Sequence, residues 1–145
     1  MKESVYLTVL AGVAVYVISQ YFLKLVFEPI ISLKEALGDL SAFCLKYHAK
    51  ITNGRADENM HNELRDIVSK ILSKQNAIPF YMLIRLFFGL PTKSRTLKGC
   101  KCLNYVGYEM NHDIQVDKKS DCNAIYKELK EAESFLKLRL TYDEL

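Results

Sequence analysis

YFLKLVFEPIISLKEALGDL, residues 21–40, starts as a lipid-compatible run and ends as the striped face of a soluble helix, with Pro29 between the halves. Upstream, residues 4–23 are twenty consecutive uncharged residues. At about 1.5 Å per residue they make roughly 30 Å of helix, the thickness of a bilayer's hydrocarbon core. Tyr6 lies near one end and Tyr21 with Lys24 near the other, where ring hydroxyls and a snorkelling ammonium meet headgroups. No small-x-small cleavage site follows the run, so a permanent anchor is expected rather than a removable signal peptide.

Downstream, Ile30, Leu33, Leu37, Leu40, Cys44, Tyr47 and Ile51 alternate steps of three and four, the seam of a helix that packs lengthwise on other helices. Proline removes a backbone donor and disfavours α conformation in the residue before it, so a kink or break is expected at Glu28 and Pro29. Anchor and stalk then form one helix, bent at the membrane surface. The seam packs either on later helices of its own domain or on the same helix in neighbouring chains. The division expected is a transmembrane anchor over residues 1–29 and a cytosolic helical bundle over residues 30–145.

Within the span, Ser4, Thr8, Gly12, Val15 and Ser19 fall on one helical stripe. Small residues at such spacing let helix backbones approach closely in lipid, so these positions are the candidate oligomer interface. Gln20 lies beside them, placed either to be solvated by headgroups or to hydrogen-bond across helices.

The 145 residues carry a net charge of +3, four cysteines and nine tyrosines, but no tryptophan. Cysteines without framework spacing point to free thiols in a reducing compartment. Together with Lys24, Lys34, Lys46 and Lys50 beyond the span, they place the C-terminal part in the cytosol and the N-terminus outside.

The rest of the chain reads as helices. TNGRAD, residues 52–57, ends the stalk, and Asp57 caps a helix over residues 58–75 with Met60, Leu64, Ile67, Val68, Ile71 and Leu72 on its buried face. FYMLIRLFFGL, residues 80–90, is apolar on nearly every side and too short to span a bilayer. It is read as the core helix of the bundle, with a helix lying at the membrane surface as the alternative. Thr92 caps a helix running to Met110, and Asp121 caps a last one with a seam of Ile125, Leu129, Ala132 and Leu136. The fold class expected is all-α.

Chemistry is sparse. Residues 67–108 contain no acid but seven cations, four of them in KSRTLKGCK: Lys93, Arg95, Lys98 and Lys101. At a helix start these suit an anion, whether lipid headgroup, nucleotide or RNA. Cys100, Cys102, His112 and Cys122 make a metal set only on paper, since residues two apart on a helix do not face each other, and no metal or cofactor is expected. Arg55 and His61 have a spacing allowed in HEPN ribonucleases, and His48 is the other candidate base. No small-molecule substrate is indicated.

YVISQYFLKLVFEPI, QNAIPFY and GLPTKS resemble an uncharacterised family of small bacterial inner-membrane proteins with one N-terminal membrane helix. Its marks are matched at Gln20, Lys24, residues 28–30 and residues 76–79, while Thr92 stands where the family usually has Ser. The resemblance covers the chain to about Met110 and implies topology and fold but no reaction. A second likeness, of architecture, is to the type VI-B CRISPR accessory protein, similar to a membrane pore built from HEPN-like helices. The function these readings lead to is an oligomeric inner-membrane protein forming a pore that depolarises the membrane in phage defence, controlled by a cytosolic partner. The alternatives are a membrane-tethered HEPN-like ribonuclease using Arg55 and His61, or an adaptor binding anionic lipid, RNA or a ribonucleoprotein through the basic face.

Overall fold

A computed structural model describes residues 2–110 and 121–142, with side chains from residue 5 onward. The elements are α1 (Lys2–Phe22), a π turn (Leu23–Phe27), α2 (Glu28–Lys46), α3 (His48–Thr52), α4 (Glu58–Ala77), α5 (Tyr81–Phe88), α6 (Lys93–Met110) and α7 (Cys122–Leu136). No strand occurs among the described residues, so the chain is all-α. The polar link NHDIQVDKKSD lies, but for Asp121, outside them, as does His112.

α1, the π turn and α2 run as one helix. The break expected at Pro29 is absent: Glu28 holds α conformation, with φ −57° and ψ −47°, and its N–H donates to Leu23 O five residues back. That wider turn supplies the local slack by which the helix passes a proline ring without leaving helical backbone.

Burial begins at Ile30. Ile30, Leu33, Leu37, Leu40, Cys44 and Ile51 are buried and Tyr47 is half-buried, and α2 packs on α4. The seam is therefore used within the chain. The stalk itself is interrupted: α2 stops where Tyr47 turns to φ −105°, ψ 16°, and α3 restarts for one short run. α4 packs in turn on α6, and α6 makes the broadest contact of all with α7.

Helix starts follow side-chain chemistry. Asp57 accepts from Met60 N at 2.8 Å, Thr92 Oγ1 from Arg95 N at 3.1 Å, and Asp121 from the Asn123 and Ala124 amides at 3.1 Å. Each satisfies donors the helix leaves open, worth about 1 kcal/mol. Gly99 lets α6 and α7 close up, because a Cβ there would sit 2.7 Å from Leu136 Cγ. After α7 the chain folds back: Leu140 N and Thr141 Oγ1 donate to Glu133 at 3.2 Å, and Ser41 Oγ donates to Arg139 O on the way.

α5 departs from the expectation of a central core helix. Only Tyr81 of its eight residues is buried, while Met82, Leu83, Leu86 and Phe87 point outward. Tyr81, Ile84 and Phe88 pack against the bundle core, which is filled mainly by residues such as Leu103, Val106, Met110, Ile125 and Leu129, so α5 lies on the core with one face and does not pass through it.

Candidate functional site

Every side chain over residues 5–25 is exposed. A helix from Val5 to Lys46 is long and apolar enough to cross a membrane, and none of its most apolar window is buried within the chain. Each large apolar side chain so exposed forgoes about 1.5–3 kcal/mol of burial if left in water. The stripe positions Thr8, Gly12, Val15, Ser19 and Gln20 are all on this bare surface, and the Ser4 side chain lies outside the described residues. Beside Gly12 the space a Cβ would fill is open. Ser19 Oγ donates to Val15 O at 2.7 Å, so its proton is bonded within its own helix.

At the foot of this helix three phenyl rings form a ladder. Phe22 and Phe27 meet edge to face at 5.7 Å between centroids, and Phe27 meets Phe88 of α5 in the same way at 5.9 Å. Lys34 Nζ lies 5.7 Å from the Phe88 ring centre, and Lys74 Nζ donates to Ser32 O at 3.2 Å. α5 and the end of the apolar run therefore stand at one level, among cations.

A buried polar chain pins α5 there. Gln75 Nε2 donates to Tyr81 Oη at 2.7 Å and to Thr96 Oγ1 at 2.8 Å. Tyr81 Oη donates to Pro91 O at 2.6 Å, and Thr96 Oγ1 donates to Thr92 O at 3.1 Å. Every hydroxyl has both a donor to accept from and a carbonyl to donate to, as a buried network requires. Burial pushes the Tyr81 phenol upward, opposed by the Gln75 bond and by the charge of Arg85. Nothing in the sequence marks Gln75 as special, because its partners are six and twenty-one residues away.

The four cations of KSRTLKGCK do not converge. Lys93 Nζ sits over the Tyr81 ring at 5.8 Å and Lys98 Nζ over Phe135 at 5.8 Å. Arg95 Nη2 donates to Ser134 O at 2.7 Å, near the end of α7 where carbonyls lack helical partners, and Lys101 is exposed. Lys93 alone of the four joins Arg85 in lining a groove between α5 and the start of α6.

Arg55 is exposed in the turn before α4. His61 Nδ1 lies 2.8 Å from Gly107 O, and its ring occupies the space in front of Gly107. Among the described residues no hydrogen bond joins Arg55 to His61. His48 is half-buried, edge to face with Tyr142 at 5.6 Å, and its Nε2 has no bonding partner among the described residues.

None of the four cysteines is in a disulfide. Cys44, Cys100 and Cys102 are buried, and burial pushes their thiols up to about 12, 11 and 12, with a bond to Glu128 adding to the rise at Cys102. Cys100 and Cys102 do not share a cluster; Cys102 is grouped with Glu128 and Glu131, their donor atoms within 4.8 Å of one another.

Compared with protein-family models, curated proteins and solved structures, the chain matches none. The family resemblance rests on the quoted residues alone.

Proposed function

We propose that this chain is a non-enzymatic protein of the bacterial inner membrane. It crosses once through α1, with its N-terminus outside and its bundle in the cytoplasm, and self-associates through the span. The observation that carries this reading is the bare α1, uncharged over residues 4–22 and exposed at every described side chain. Lipid satisfies that surface, and a second span packs on it where side chains are smallest, at Thr8, Gly12 and Ser19. Because the α2 seam is covered by α4, the stalk does not compete for this role. A ring of such spans, gated by a cytosolic partner, would depolarise the membrane.

The test is assembly in lipid. Particle size in nanodiscs or mild detergent should exceed that of one chain, and Gly12→Leu should shrink it where Val13→Leu does not. A monomer in both media overturns the self-association. Ion flux through proteoliposomes tests the depolarising output separately: an assembled ring that stays ion-tight with and without cell extract removes that step.

A further inference from the structure

We propose that α5 is a second membrane-contacting element, an in-plane helix whose apolar face enters the leaflet α1 leaves, with anionic lipid headgroups held at Arg85 and Lys93. The inference rests on α1 crossing the bilayer, and it assigns a lipid surface to the outward face of α5, Met82, Leu83, Leu86 and Phe87, while Tyr81, Ile84 and Phe88 pack on the bundle.

Continuity with the span is the first support. Phe88 packs edge to face on Phe27, the last residue of the π turn, so α5 is fixed at the depth where the apolar run ends. The exposed apolar surface thus passes from the span to α5 through Phe22, Phe27 and Phe88. A helix held at that depth lies in the plane of the interface, where apolar faces sink about 5–10 Å into the headgroup and acyl boundary.

The backbone gives a second, independent support. Phe80 is at φ 49°, ψ 36°, left-handed space that costs a non-glycine residue about 1–2 kcal/mol. What the chain obtains is a phenyl ring 81% exposed, beside Phe87 at 84%. In water that conformation costs strain and solvation together; in lipid the ring is buried.

Charge identifies the lipid. The groove of about 440 Å³ beside α5 is lined by Phe80, Tyr81, Met82, Leu83, Arg85, Thr92 and Lys93. Its two charged residues are both cations, set against apolar walls that suit acyl chains. Glu28 lines a separate hollow, with Lys24 and Lys74, that shares no residue with this groove. Arg85 presents a guanidinium fork matched to phosphate, and Lys93 a point charge.

The chain contains no tryptophan, so Phe87→Trp and Val13→Trp each place a single reporter in the full-length protein. Both are reconstituted in nanodiscs with lipids brominated at shallow or deep acyl positions, and probed with aqueous acrylamide. The expected result is quenching of Phe87→Trp by shallow bromines, protection from acrylamide, and stronger quenching with phosphatidylglycerol than with phosphatidylcholine alone. Arg85→Gln with Lys93→Gln should abolish the dependence on phosphatidylglycerol. Free access of acrylamide to Phe87→Trp while Val13→Trp is quenched by deep bromines overturns α5 docking and leaves the span standing. Acrylamide access at Val13→Trp overturns the span itself. A Phe87→Trp shielded from acrylamide but untouched by bromines means that protein covers α5, which also overturns the proposal. Equal quenching in both lipids overturns the headgroup assignment.

Discussion

Gln75 Nε2 donates to Tyr81 Oη across 2.7 Å, and through that contact the last turn of α4 holds the first turn of α5. Tyr81 is the one fully buried residue of α5, with Ile84 and Phe88 packed beside it on the core. Tyr81→Phe deletes the hydroxyl and strands a Gln75 N–H and the Pro91 carbonyl, at a cost of about 1–3 kcal/mol. Denaturant unfolding in detergent should show that loss. Hydrogen exchange should quicken in α5 before it quickens in α4.

Gly99 faces Leu136 with no room for a methyl group. Gly99→Ala overpacks the α6–α7 contact and should cost about 1–3 kcal/mol, despite alanine's better helix propensity. Adding Leu136→Ala to Gly99→Ala should recover part of that cost, and a double-mutant cycle measures the coupling.

Phe80 sits in left-handed backbone. Phe80→Gly relieves that strain but loosens the unfolded chain, so bundle stability should change by no more than about 1 kcal/mol. Phe80→Val, β-branched at positive φ, should lower the thermal midpoint. Thermal unfolding of the two variants side by side checks the sign.

The buried thiols set an alkaline limit on stability. Folded Cys44 titrates near 12 against 9.0 when unfolded, so above about pH 9 the unfolded state gives up a proton that the folded state keeps. Stability contributed by this thiol is complete below 9.0 and is lost as pH climbs towards 12. Denaturant midpoints should fall over that window, and less steeply in Cys44→Ala. At neutral pH a thiol reagent should modify exposed Cys122 fast and Cys44, Cys100 and Cys102 only on unfolding.

His61 ties α4 to α6 through Gly107 O. His61→Ala should cost about 1 kcal/mol in unfolding free energy, whereas Arg55→Ala, at an exposed turn position, should be near neutral. RNA cleavage that is lost in Arg55→Ala with stability intact would support the nuclease alternative.

How much the residues announce depends on how local their physics is. The caps at Asp57, Thr92 and Asp121 were legible because capping acts within three residues. The α7 seam was legible because its period survives packing. α5 misled because an all-apolar composition signals removal from water, and says nothing about whether protein or lipid does the removing. The π turn carries no pattern of its own. The Gln75, Tyr81 and Thr96 chain joins segments that only the fold brings together, and the four cations of α6 look like one patch in sequence because adjacency along a chain ignores the 100° turn between neighbours.

The uninterrupted helix from Val5 to Lys46 has a mechanical corollary. The π turn keeps the backbone helical between the apolar portion and the core-forming portion, so rotation or tilt imposed on one end reaches the other as torque. In the proposed assembly, a change in how spans lean on each other would be delivered to the α2–α4 contact, as through a drive shaft.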